Sequence, residues 1–176
     1  MIFVAVMPVA MGLHAQALQP TYVGLFADME RSIASVSGPG EFSLYVWWLP
    51  GGGGLDEVRY SLIVPGNLEG IRMVLNPVFY QWCEETHCLL GICATSYVCQ
   101  SEWVWSHRID YRLLDSAPEL IEIEPCRGEH EFTTGTCDTA YVLQQPVVIL
   151  NSFGLNQPEV IATDQATWGA IKNLYR

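Results

Sequence analysis

Residues 103–114 read WVWSHRIDYRLL, and the way this stretch alternates decides the fold. Trp103, Trp105, His107, Ile109, Tyr111 and Leu113 take turns with Val104, Ser106, Arg108, Asp110 and Arg112. In an extended chain successive side chains point to opposite faces, so this pattern predicts a strand with one apolar face on a core and one face in water. Such half-wet strands belong to antiparallel sheets. His107 falls on the apolar face and reads as a core or rim histidine. Trp103 and Trp105 share that face, which core packing explains without a ligand.

The same period recurs outward along the chain. EFSLYVWWL (41–49) places Phe42, Leu44, Val46 and Trp48 together, and DEVRYSLIV (56–64) does so with Val58, Tyr60, Leu62 and Val64. GIRMVLN (70–76) alternates Ile71, Met73 and Leu75 around Arg72. TAYVLQQPVVILN (139–151) is β-rich, and Pro146, which has no N–H to give a ladder, assigns it to an edge, a bulge or a strand start. Turn-forming clusters separate these runs: SGPG (37–40), PGGGG (50–54), PGN (65–67), NP (76–77) and SAP (116–118). Short strands at this spacing predict an all-β antiparallel β-sandwich of the immunoglobulin or cohesin-like class, over residues 18–155. GGGG lacks the strand, lysine and helix of a phosphate cradle. Residues 156–176 read as a tether and a short helix, for which Asp164 is the expected cap of QATWGAIKNLY and Gly169 a weak point.

The chain of 176 residues has a net charge of −11, from 19 acidic and 8 basic side chains. Such a surface repels phosphate backbones and anionic lipid, which argues against nucleic-acid binding. Its start, MIFVAVMPVAMGLHAQA, carries an apolar run from Ile2 to Leu13, too short to span a bilayer as a mature helix. Ala15-Gln16-Ala17 fits a small-x-small cleavage site, so residues 1–17 read as a secretory signal despite the absence of Lys or Arg before the run. The mature chain is then secreted, extracellular or periplasmic.

Six cysteines, Cys83, Cys88, Cys93, Cys99, Cys126 and Cys137, lie in that mature part. Export and an even count predict disulfides. The C-x4-C-x4-C-x5-C spacing lacks the close knuckles of a zinc site, and His87 sits beside Cys88, so no metal ligand is assigned. A Cys–His nucleophile needs an unpaired thiol, which this count does not supply. Fifteen pairings are formally open. RGEHEFTTGT (127–136) reads as a hairpin and would pair Cys126 with Cys137, while proximity would pair Cys93 with Cys99 and Cys83 with Cys88.

No catalytic residue is assigned. The acidic pairs Asp28/Glu30, Asp56/Glu57, Glu84/Glu85 and Glu122/Glu124 show no sign of converging, and neither H-E-x-x-H nor G-x-S-x-G occurs. Trp47 and Trp48 are adjacent in one strand, so if Trp48 enters the core Trp47 faces away, either packed under a loop or open as a binding platform. The resulting expectation is a non-catalytic binding or structural module with no cofactor and an unknown protein or glycan partner. The alternatives are an extracellular hydrolase working through carboxylates with His107 or His130, and a glycan-binding domain built on Trp47.

Several stretches carry a family resemblance: YVGLFAD (22–28), DEVRYSLIVPG (56–66), VCQ (98–100), Cys126 with Cys137, LNSFGLN (150–156) and ATWGAIKNLYR (166–176). Together they resemble a group of small secreted bacterial β-sandwich proteins ending in W-G-x-I-K-x-L-Y-R. That resemblance implies a secreted sandwich and supplies no activity. The C-terminal segment would either pack on the sandwich or serve as a docking or sorting element. The four cysteines at 83–99 exceed the group's pattern. More distantly, the strand pattern resembles cohesin and carbohydrate-binding sandwiches.

Overall fold

A computed structural model describes residues 19–81, 91–126, 132–137 and 146–157. The expected signal segment, the helix after Asp164, and Cys83, Cys88, His87 and His130 lie outside the described residues. Twelve strands form two sheets, with no helix among the described residues. The first sheet contains β1 (Thr21–Phe26), β3 (Gly40–Leu49), β5 (Leu68–Leu75), β8 (Val104–Leu113) and β11 (Val147–Ile149), in the order β11-β1-β3-β8-β5. The second runs β2 (Ser35–Val36), β12 (Phe153–Leu155), β9 (Glu119–Glu124), β4 (Leu55–Ile63), β7 (Ile92–Gln100) and β6 (Phe79–Tyr80). β10 (Thr133–Gly135) also pairs with β4. The sandwich expected from the alternating runs is present.

Inward positions of the two sheets interlock as one core. Val23, Leu25, Leu44, Val46, Trp48, Ile109, Tyr111 and Leu113 of the first sheet meet Leu55, Val58, Tyr60, Ile121, Ile123, Phe153 and Leu155 of the second. Each large apolar side chain removed from water contributes about 1.5–3 kcal/mol. The alternation predicted for 41–49 and for Val58 and Tyr60 holds.

In β8 it holds for only half the strand. Pairing with β3 steps from Val46↔His107 to Trp47↔Trp105, leaving Ser106 as an extra residue. A β-bulge of this kind shifts the side-chain phase by one. Ser106 and His107 are therefore both buried, Val104 joins the core, and Trp105 faces outward. The shared core face expected for Trp105 and His107 does not form.

A second bulge, between Gly70 and Arg72, sets Ile71 outside the β5–β8 pairing. β5 ends the sheet, so Ile71 and Met73 are about half exposed instead of buried.

Two short corners carry the chain between sheets, and each turns on an asparagine. Between β5 and β6, the Asn76 N–H donates to the Ser106 carbonyl (2.9 Å) and Asn76 Nδ2 to the Trp105 carbonyl (2.8 Å). These bonds satisfy the backbone that the β8 bulge frees. Between β11 and β12, Asn151 Oδ1 accepts from the Leu25 N–H (3.0 Å) and Nδ2 donates to the Leu25 carbonyl (2.7 Å). One side chain there replaces the missing strand partner of β1. β11 begins just after Pro146 and lies at the sheet edge, one of the positions expected for that proline.

Cys99 is bonded to Cys137, with 5.5 Å between their Cα atoms. This corrects both the Cys126–Cys137 and the Cys93–Cys99 pairings. β9 and β10 do not form a hairpin. Both run antiparallel to β4 along the same side of it, with Glu124↔Ser61 and then Thr133↔Arg59 and Gly135↔Glu57. Cys126 follows β9 and Cys137 follows β10, so the two cysteines lie at successive points along β4 and not across a turn from each other. Cys93 and Cys126 are also disulfide-bonded, and no described cysteine is free.

The Cys99–Cys137 bridge passes over Gly54, which has φ of +72°. A methyl group at Gly54 would lie 2.5 Å from Sγ of Cys99 and 2.8 Å from Sγ of Cys137. The glycine run thus forms a turn beneath a disulfide. Its shape is set by the Gly54 N–H to Gly51 carbonyl bond (3.0 Å) and the Cys137 N–H to Gly53 carbonyl bond (3.1 Å).

Candidate functional site

Outward positions of the first sheet divide into a covered half and an open half. In the covered half, Trp47 is 5% exposed, and Arg31 lies across it. The guanidinium carbon is 4.7 Å from the Trp47 ring centroid and 5.0 Å from that of Trp103. Arg31 has φ of +58° in the loop between β1 and β2. Asp28 holds that loop by accepting from the Ser32 hydroxyl (2.6 Å) and from the N–H groups of Ser32 (2.9 Å) and Ile33 (2.8 Å). Desolvation opposes ionisation of Asp28, yet these bonds hold its carboxyl below the ordinary value. Burial lowers the Arg31 pKa, against the opposing pull of Asp28 and Glu30. Leu49, Leu150, Tyr22 and Trp103 pack together on the same side. Trp47 is thus packed under a loop, and the open platform is closed.

The open half lies along β3, β8 and β5. Arg112 on β8 bonds Glu41 of β3 (2.6 Å) and Glu69 of β5 (3.2 Å), bridging three strands. Its pKa is raised, chiefly by the Glu41 hydrogen bond and charge and then by Glu69. One step along β8, Asp110 accepts from the Ser43 hydroxyl (2.7 Å) and pairs with Arg108 (3.2 Å). Beyond Arg108, Tyr45 and Trp105 meet edge to face, with centroids 5.8 Å apart. This aromatic pair lies next to a ladder of alternating charge. Sequence alternation could not show Trp105 here, because the bulge turned it out. The one mark near the phase change is His107, a polar side chain in an otherwise apolar row.

Beneath this face, Ser106 and His107 enter a buried polar cluster. Trp48 Nε1 donates to Ser106 Oγ (3.0 Å), and the Tyr60 hydroxyl lies 2.8 Å from His107 Nδ1. Ser106 Oγ is 3.2 Å from the same nitrogen. Burial lowers the His107 pKa to about 4 and raises that of Tyr60. The combination of serine, histidine and tyrosine superficially suggests nucleophilic chemistry, but Ser106 is 0% exposed and His107 2%, so substrate has no access. These groups satisfy one another and fix the interior of the bulge.

The described acidic pairs do not gather, and Glu84/Glu85 lies outside the described residues. Asp28 caps its loop, and Glu57 bonds Arg59 on its own strand (2.6 Å). Burial, and then the charge of Glu57, raise the Asp56 pKa. A shallow groove of about 390 Å³ holds Glu119 and Glu122 with Ile63, Pro65, Pro118 and Leu120, and no histidine. Among the described residues no three His, Cys, Asp or Glu side chains are placed to share a metal ion.

No family model matches the chain, and no curated protein does. Solved structures do. The seventh ScaB type I cohesin from Pseudobacteroides cellulosolvens superposes with a TM-score of 0.53 at 8% identity, covering 82% of this chain and 96% of that one. A non-cellulosomal cohesin from the hyperthermophilic archaeon Archaeoglobus fulgidus gives 0.51 at 11% identity, covering 85% and 97%. At such identities the likeness is one of fold: the chain is built as a cohesin-like β-sandwich.

Proposed function

We propose that this protein is a secreted or surface-displayed, non-catalytic binding module that engages a protein partner through the open half of the first sheet. The observation that carries the reading is the ladder of Glu41, Arg112, Glu69, Asp110 and Arg108 beside Tyr45 and Trp105, on a face that no layer of described residues covers. Alternating charges set orientation and exclude wrong partners, and an aromatic pair supplies desolvated contact area. The cohesin-like fold supports a module of this kind, and the Cys99–Cys137 bridge supports an oxidising compartment. Among the described residues no cleft unites His107 with carboxylates, as the hydrolase reading would need; His130 lies outside them. The glycan reading lacks the exposed Trp47 it was built on.

Site-specific photo-crosslinking in the producing organism tests this. A benzoyl-phenylalanine at position 45 should give one discrete adduct that Arg108→Glu removes, while the same probe at position 122 gives none. Adducts confined to position 122, or none at position 45, would reject the face.

A further inference from the structure

We infer that β5 is a self-pairing edge through which two copies of this chain join their first sheets. A sheet edge presents unpaired N–H and C=O groups, and proteins blunt such edges by keeping them short. β2 and β6 have two residues each and β11 has three, whereas β5 has eight. Glu69 to Met73 are all exposed, so no described residue covers this edge.

The occupant follows from the register. Because Ile71 is set outside the pairing, Glu69 and Arg72 oppose Arg112 and Asp110 and share the outer face. Leu68 and Met73 oppose Leu113 and Ile109 and share the core face. Two β5 strands paired antiparallel about a two-fold axis between Gly70 and Ile71 therefore set each Glu69 opposite the other copy's Arg72. The same register sets each Leu68 opposite the other copy's Met73. Without the bulge these partners would fall on opposite faces. Arg72 makes no ion pair with any described residue, so its charge is available. A two-fold axis requires a self-complementary patch, and this edge is complementary in both charge and apolar character. Pairing would make one ten-stranded sheet and place two copies of the charged ladder side by side. The inference is independent of what that ladder binds.

Sedimentation equilibrium of the full chain tests it. The wild type should pass from 19.7 kDa to twice that mass as concentration rises. Arg72→Glu sets like charges opposite one another, as does Glu69→Arg, and each variant alone should dimerise at least tenfold more weakly. An equimolar mixture of the two restores both ion pairs and should recover the wild-type dimer, which also shows that both variants are folded. Hydrogen exchange at residues 69–73 should slow with concentration in the wild type. A wild type that stays monomeric up to millimolar concentration overturns the inference. So do variants that dimerise as tightly as wild type, or a mixture no tighter than its components.

Discussion

Acidification should strike the core at His107. The ring is enclosed by Tyr60, Ser106 and the apolar interior, and none of its hydrogen-bond partners is a carboxylate. The unfolded chain takes up this proton below about pH 6.5. The folded chain resists until about pH 4, because charging the ring means burying a cation. Between those values the unfolded state binds more protons, so stability falls as pH falls and levels off below the lower one. The linkage relation makes the loss about 2.5 kcal/mol between about pH 7.5 and about pH 4.5. Urea unfolding followed by tryptophan fluorescence measures it, with His107→Phe as the control. Every other titrating group, the carboxylates of Asp28 and Asp115 among them, is present in both proteins and cancels in the difference. The variant should be less stable than wild type at about pH 7.5 by about 1–2 kcal/mol, having taken Tyr60's partner away. That gap should close or reverse at about pH 4.5. If the two proteins lose stability in parallel over this window, the folded protein accepts the proton at an ordinary pKa and the reasoning fails.

Four further perturbations probe the scaffold. Removing the Cys99–Cys137 bridge by a double serine substitution releases a loop of 38 residues and should lower stability by about 2–4 kcal/mol in denaturant unfolding. Gly54→Ala meets that bridge as well as a positive φ, so it should destabilise by about 2 kcal/mol or more in wild type and clearly less in the serine background; equal effects would dissociate the glycine from the disulfide. Asn151→Ala leaves the N–H and C=O of Leu25 unpaired in the interior and should lower stability by about 2–4 kcal/mol, a wild-type unfolding midpoint being the contrary result. Arg31→Ala uncovers Trp47 and should shift tryptophan emission to the red while changing stability by only about 1 kcal/mol; unchanged emission would mean the indole is covered by something else.

What was legible in the sequence was local. Phe42 to Trp48 alternate without interruption, and β3 is the unbroken central strand they foretold. Over 103–113 the same alternation runs on through a bulge, because nothing in a period of two records that Ser106 will be squeezed inward beside His107. Trp105 therefore read as core and lies outside. Ile71 and Met73 look like any buried pair, since the sequence does not say which strand ends a sheet. The cysteine pairing failed for a related reason. A stretch rich in Gly and Thr looks like a hairpin, but the strands on either side of it both pair with β4 and run the same way. Trp47 was separable from Trp48, yet its cover comes from Arg31, sixteen positions earlier. Registers and covers are long-range facts, and neighbouring residues do not encode them.

The asparagine corner between β11 and β12 also carries a slow chemical liability. Hydrolysis of the Asn151 amide, water entering and ammonia leaving, would keep one oxygen accepting the Leu25 N–H and put a second, in place of the donor nitrogen, against the Leu25 carbonyl only 2.7 Å away. A single mass unit gained there would turn a clasp into a repulsion and loosen the first strand at its edge.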